Sequence, residues 1–148
     1  MATATATATI DAYPGGIDNS QRVIYVSGVI SVSASPATYA SGGLTITWLG
    51  VSQGPGTGSS GLFPLIQGVD AAPFMVWLAS AATSGTTVGG YVYVWNKANN
   101  SLQLLASAGT QTAGTGTISE EMTAGTAIPA AVSSDVIRFE AIFVRNFS

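Results

Sequence analysis

Residues 91–105, YVYVWNKANNSLQLL, contain two apolar runs on either side of a turn rich in asparagine. Tyr91, Tyr93 and Trp95 alternate with two valines, and alternate residues of a strand point to opposite faces. The pattern predicts a β-hairpin. Aromatic side chains bury about 150–250 Å² each, so three on one face can stabilise a domain core. We therefore expect the aromatic face of the first strand to be buried.

The opposite face of that strand carries Val92 and Val94. One sandwich core covers only one face of a strand, so these valines predict cover from a loop, a second layer or another subunit. Exposure of two valines on a protein surface is also common. Both interpretations stay open, and Val92 and Val94 are candidate interface residues.

Four further segments have strand character. Residues 22–33 are rich in β-branched side chains, and Gly28 within them suggests a bulge or a bend. Residues 44–49 alternate apolar and threonine side chains, which is typical of a half-buried strand. Residues 73–80 are continuously apolar and predict a central strand buried on both faces. Residues 136–145 predict the last strand of the fold.

Six to eight short strands without a helical apolar stripe favour an all-β fold. A chain of 148 residues fits one domain. We predict a single-domain antiparallel β-sandwich or barrel-like (jelly-roll-like) fold over residues 13–148, with an extended N-terminal arm over residues 1–12. The aromatic residues expected in the core are Trp48, Trp77, Tyr91, Tyr93, Trp95, Phe139 and Phe143.

The arm begins with strictly alternating alanine and threonine over residues 2–9. Alternation places all threonines on one face of an extended strand, but neither face buries much area. The segment is either a frayed tail or an arm that adds a strand to a neighbouring subunit. The candidate interface residues of the arm are Ala2, Thr3, Ala4, Thr5, Ala6, Thr7, Ala8, Thr9 and Ile10.

Charged residues are scarce, at 7% of the chain against a usual value of about 25%. Four basic and seven acidic residues give a net charge of −3. Nucleic-acid binding needs a basic surface, and anionic membranes are disfavoured for the same reason. Because solubility normally depends on surface charge, the composition favours a homo-oligomer or an assembly component; the alternative is a soluble monomer with a surface of serine and threonine.

The sequence offers no catalytic, cofactor or metal site. The absence of histidine and cysteine excludes imidazole bases, thiol nucleophiles and cysteine-based zinc sites. Residues 56–61, GTGSSG, match a dinucleotide fingerprint, but Leu-Phe-Pro-Leu follows instead of a helix, so we predict a loop. Glu120 and Glu121 point to opposite faces of a strand. An enzyme would need two carboxylates, such as Glu121 and Asp135, to converge.

Arg138 and Glu140 lie two residues apart on one face of the last strand. We expect them to pair with each other or with neighbours, at a subunit boundary or the rim. The N-terminus lacks the basic and apolar regions of a secretory signal. The longest apolar stretch, residues 71–82, is about half the ~20 residues that a membrane helix needs. Together these features predict a protein assembled in a cytoplasm.

Three segments together carry a family resemblance. Residues 23–43 combine a long strand with a Thr-Tyr-Ala-Ser-Gly-Gly turn. Residues 90–105 have the pattern Gly-Tyr-x-aromatic-x-Trp, an asparagine turn and Leu-x-Leu. Residues 121–143 join an acidic strand end and an Ala-Gly-Thr loop to a final strand of the type Val-x-Arg-Phe-x-Ala. In this order the segments resemble the small head-decoration (cement) proteins of tailed bacteriophages.

The resemblance implies a non-enzymatic virion structural protein without a cofactor. Such proteins bind the outside of the capsid, commonly as homotrimers at local threefold sites, and clamp neighbouring major capsid subunits against internal DNA pressure. The expected partners are further copies of this chain and the major capsid protein, and the expected location is the capsid exterior. The alternative is a receptor- or glycan-binding β domain of a phage tail or surface layer.

Overall fold

The computed structural model describes residues 2–10, 17–19, 23–33, 36–49, 51–52, 66–67, 69–81, 87–88, 90–107 and 119–145. These residues contain short strands and one helical turn, in the following order. The elements are β1 (Ala6–Ile10), β2 (Ile17–Asn19), β3 (Val23–Val32), β4 (Leu44–Leu49), β5 (Val51–Ser52), β6 (Ile66–Gln67), β7 (Met75–Ser80), β8 (Thr87–Val88), β9 (Tyr91–Asn96), β10 (Ser101–Ser107), β11 (Ser119–Glu121), α1 (Ala130–Ser133) and β12 (Ile137–Val144).

The main sheet follows the order β7-β12-β3-β1-β4-β10-β9-β8, with β2 added to β3 and β11 added to β10. Its eight-stranded path is nearly closed into a barrel. Neighbours along the path are antiparallel except β1 and β4, which are parallel. β5 and β6 form a separate parallel pair. The prediction of an all-β sandwich or barrel is confirmed.

The N-terminal segment is a central strand of this sheet, so the prediction of a separate arm is wrong. β1 pairs with β3 on one side and with β4 on the other. Its alanines contribute little area themselves, but large side chains from both neighbouring strands complete the core around them. Ala4, Ala6, Ala8 and Ile10 face this core, whereas Ala2, Thr3, Thr5 and Thr9 are exposed and Thr7 is half-buried.

The core is built around an aromatic cluster. Trp48 contacts Phe139 and Phe143 edge to face, with ring centroids 5.2 and 5.4 Å apart. Edge-to-face pairs contribute about 0.5–1.5 kcal/mol each beyond the area they bury. Of the seven predicted core aromatics, Trp48, Tyr93, Phe139 and Phe143 are buried, Tyr91 and Trp95 pack against the core, and Trp77 is 49% exposed.

β7 is not a central strand buried on both faces, as residues 73–80 predicted. It ends the sheet path and pairs with β12. Its inner side chains, Val76 and Leu78, pack against the core, while Met75 and Trp77 on the other face are exposed. One face of this apolar strand therefore packs against the core, and its other face, which is also apolar, is open to solvent.

Gly28 does not mark a bulge. β3 pairs with β12 in continuous register through this position, where Gly28 lies opposite Phe139. A Cβ atom here would meet the carbonyl oxygen of Thr9 and would lie 2.9 Å from Phe139 Cε1. The glycine is required by the close approach of a backbone and a ring.

The β9–β10 hairpin is confirmed, with Tyr93 opposite Leu104. Its turn contains Asn100 at a positive φ of 47°, a conformation that asparagine tolerates better than most residues. The Asn100 side chain accepts a hydrogen bond from Trp48 Nε1 (2.8 Å) and donates one to the carbonyl oxygen of Ile46 (3.2 Å). The turn thereby fixes the hairpin to β4 and orients the central indole of the core.

Candidate functional site

The two carboxylates considered for catalysis both bind tyrosines. Glu121 Oε1 accepts hydrogen bonds from Tyr39 Oη (2.9 Å) and from the backbone N–H of Gly42 (2.7 Å). Asp135 is buried, and its Oδ2 accepts a hydrogen bond from Tyr93 Oη (2.9 Å). These contacts give both carboxylates a part in holding strands and loops together.

Burial raises the pKa of Tyr39 and of Tyr93 above the ordinary value of 10.0. For Tyr93, the hydrogen bond to Asp135 and the negative charge of that carboxylate raise the pKa further. For Tyr39, Glu121 acts in the same direction, while the backbone N–H of Leu104 lowers the pKa. Both phenols are therefore held in the neutral form within the folded protein.

This arrangement predicts alkaline sensitivity. In the unfolded chain each phenol loses its proton near pH 10, whereas in the folded protein it does so only at a higher pH. The stabilisation that each phenol contributes is therefore complete below pH 10 and decreases as the pH rises above it. One such group costs about 1.4 kcal/mol per pH unit. Tyr93→Phe should cost about 1–3 kcal/mol at pH 7 and flatten the decline above pH 10. Urea unfolding of both proteins from pH 7 to 11 measures this, and parallel pH curves would contradict it.

Within the described ranges, no helix has the length and apolar character needed to cross a membrane. The same ranges contain no cluster of three or more acidic side chains that could hold a metal ion. Residues 56–61, with the glycine-rich motif, lie outside the described residues.

The candidate site is the outer face of β3, β12 and β7, which we call the three-strand face. Strand register aligns its side chains in three rows across the strands. The rows are Tyr25–Ile142–Met75, Ser27–Glu140–Trp77 and Val29–Arg138–Ala79.

Large apolar side chains dominate one end of this face. Trp77 is 49% exposed, Tyr25 is 47% exposed and Met75 is 40% exposed. Phe74, just before β7, is also exposed, and Lys97 Nζ from the β9–β10 turn lies 4.1 Å from the centre of its ring. Burial of such rings from water is favourable, so their exposure points to a contact surface.

A groove of about 360 Å³ lies at the centre of the face. Ser27, Trp77, Ala79, Arg138 and Glu140 contribute to its lining. It exists because Ser27 and Ala79 are small, while Trp77 and Arg138 beside them are large.

Arg138 and Glu140 are both exposed beside this groove. Neither makes an ion pair with any residue in the described ranges, so the expected pairing is not found within this part of the chain. The Arg138 guanidinium group, which can only donate hydrogen bonds, and the Glu140 carboxylate, which can only accept them, thus face solvent in the middle of an apolar face.

The valine face of the hairpin is more covered than the three-strand face. Val92 and Val94 are half-buried and lie opposite Leu105 and Gln103 of β10. Their role in a subunit interface stays a prediction. Sequence patterns missed the three-strand face because hydrophobicity alone does not distinguish a covered apolar face from an open one.

Comparison of the chain with known protein families, with curated proteins and with solved structures found no match in any of the three searches.

Proposed function

We propose that this protein is a non-enzymatic virion structural protein that decorates the outer surface of a capsid. In this role it forms a homo-oligomer, binds the major capsid protein and clamps neighbouring capsid subunits. The observation that carries the proposal is the three-strand face, an open apolar surface on a chain with only 7% charged residues. Exposed apolar patches on soluble proteins mark interaction surfaces.

The exposed area is large enough to matter energetically. Trp77 and Tyr25 each expose nearly half of their surface, which is on the order of 100 Å² per side chain. At about 25 cal/mol per Å², covering each one contributes about 2.5 kcal/mol before the costs of association. Contacts of this kind depend little on salt, because Coulomb screening acts on charges.

The barrel-like sheet suits a clamp. The side chains of the three-strand face stand on strands that are hydrogen-bonded on successive rungs, and the inner faces of the same strands pack on the aromatic core. A rigid platform loses little conformational entropy when it binds. Repeated copies on a shell then add their binding energies through multivalency.

The proposal predicts saturable binding to capsids. Purified protein is mixed with capsids of a virus that encodes this chain, prepared without it, and bound protein is measured by cosedimentation and electron microscopy. We expect uniform decoration of the outer surface and a higher temperature of capsid disruption. Trp77→Ser should reduce occupancy tenfold or more at limiting protein, since a loss of 1.4 kcal/mol already gives a factor of ten.

The control variant is Thr45→Ala, which changes an exposed side chain on β4, outside the three-strand face. It should bind as the wild type does. Absence of capsid binding by folded wild-type protein would overturn the proposal.

One observation favours the alternative function. A partly exposed indole beside an arginine and a glutamate, as Trp77 lies beside Arg138 and Glu140 in the groove, suits a sugar ring, whose C–H face stacks on an aromatic and whose hydroxyls both donate and accept. Glycan-array binding that is lost in Trp77→Ser, together with no affinity for capsids, would establish a glycan-binding domain instead.

A further inference from the structure

The three-strand face is complementary to itself. We infer that it binds the same face of a second copy, about a two-fold axis that lies in the interface, runs across the strands and is level with Phe139. The inference rests on the proposed function for its setting, an assembled shell, and goes further by naming the partner of this face.

The charges support this axis. The rotation places β12 of one copy antiparallel to β12 of the other. Arg138 of each copy then lies opposite Glu140 of the other copy, which makes two symmetry-related pairs. The residues are two apart on one face of β12, so the two pairs lie on either side of the axis. Neither group has an ion-pair partner within the described part of its own chain. Paired charges at such a centre fix register and exclude other arrangements.

The side-chain sizes support the same axis. Trp77 shares a row with Glu140, and Ala79 shares a row with Arg138, so the two rows lie on either side of Phe139. Rotation about an axis level with Phe139 therefore places one row opposite the other. The large Trp77 side chain therefore faces the small Ala79 of the other copy, and Ser27 faces Val29. Each indole is aimed at the groove beside the partner's Arg138, where stacking on a guanidinium group is also favourable.

The outermost apolar residues are matched as well. Ile142 lies at one end of the exposed face of β12, and Val136, just before β12, lies at the other and is exposed. The rotation places these two opposite each other. Trp77 thus meets the smaller Ala79, and Ile142 meets Val136, a self-complementary match of the kind that an isologous interface needs.

The size of the face sets the strength of the contact. Three strands about 4.8 Å apart that pair over six to eight residues, at ~3.4 Å per residue, form a face well below the ~800 Å² per partner of a standard interface. We expect a weak association in solution, roughly micromolar or weaker. At the high local concentration on a shell, the same contact joins neighbouring copies, so Trp77→Ser lowers capsid occupancy by weakening the contact between copies.

The test is a set of charge reversals, followed by sedimentation velocity across a wide concentration range without capsids. Wild-type protein should double in mass as concentration rises. In a dimer of Arg138→Glu, each position 138 places a glutamate opposite Glu140 of the other copy. In a dimer of Glu140→Arg, two arginines face each other in each pair. Each variant alone should associate at least tenfold more weakly. An equimolar mixture of the two should recover association, because both pairs are then complementary.

Two controls separate this interface from general charge effects. The double variant Arg138→Glu/Glu140→Arg keeps the net charge of −3 and should associate like the wild type. Glu120→Arg changes the net charge as Glu140→Arg does, on an exposed strand residue away from the face, and should have no effect. All substituted positions are exposed, and thermal unfolding verifies that each variant is folded.

The outcomes distinguish this inference from the proposed function. A wild type whose mass stays constant at all concentrations, or single reversals that the mixture does not rescue, would overturn the two-fold contact even if capsids are decorated. Rescue in the mixture without any capsid binding would keep the contact and overturn the decoration role. Loss of association on adding a glycan would assign the groove to a sugar instead.

Discussion

Replacing Ala8 with aspartate is expected to destabilise the protein by about 3–5 kcal/mol at neutral pH. Ala8 has no exposed surface and lies between Ile30 of β3 and Trp48 of β4. A carboxylate there would be buried among apolar side chains. Burying an unpaired charge is destabilising by about 3–5 kcal/mol, a large part of the ~5–15 kcal/mol that holds a typical domain together.

The matched control lies in the next position. Thr9→Asp introduces the same charge into the same strand, but Thr9 is exposed, and surface changes cost about 0.5 kcal/mol. Urea denaturation followed by circular dichroism measures both. The Ala8→Asp protein should also regain stability as the pH falls toward 4, because burial raises the pKa of the new carboxyl and protonation removes its charge.

Equal stability of the two variants would mean that residues 2–10 are not a strand of this sheet. That outcome would restore the free arm that the alternating Ala-Thr sequence suggested. The comparison therefore tests the element on which sequence and structure differ most.

The strands with a clear apolar alternation could be predicted from the sequence. β4, β9 and β12 each place bulky residues on every second position, and such residues decide their own orientation in a core. The hairpin was also predictable, because β9 and β10 are neighbours in the chain and its turn residues suit a positive φ. Local pattern was sufficient where the partner strand is close in sequence.

The position of β1 could not be predicted in the same way. Alanine and threonine carry little information on burial, and the partners of β1 lie at residues 28–32 and 46–49. Its parallel pairing with β4 depends on the closure of the whole sheet. The core at β1 is filled by its neighbours, so its own side chains do not reveal that it is central.

The three-strand face posed a different problem. Tyr25, Met75 and Ile142 are far apart in sequence and form one row only through the register of β3, β12 and β7. The sequence shows the apolar run of β7, but such a run ordinarily indicates a strand that is buried on both faces. Only the strand order shows that its outer face is open, which is also why the candidate site was absent from the sequence-based expectations.

Replacing Gly28 with alanine is expected to destabilise the protein by about 3 kcal/mol or more. An added Cβ meets the carbonyl oxygen of Thr9 and lies 2.9 Å from Phe139 Cε1. The ring cannot move away easily, since Trp48 packs against it, and the carbonyl belongs to the strand paired with β3. Overpacking of this kind costs about 1–3 kcal/mol, and more where backbone must shift. The smaller unfolded-state entropy of alanine offsets only about 0.4–1 kcal/mol.

A double variant separates the two contacts of Gly28. Phe139→Leu removes the ring, so it should reduce the cost of Gly28→Ala by about 1 kcal/mol in a double-mutant cycle. The rest of the cost should remain, because the Thr9 carbonyl is backbone and stays in place. Ser27→Ala, the neighbouring change on the outer face, should alter the unfolding free energy by less than about 0.5 kcal/mol. A Gly28→Ala protein as stable as the wild type would mean that β1 does not pack against β3 at this position, and the order of strands at the centre of the sheet would then have to be different.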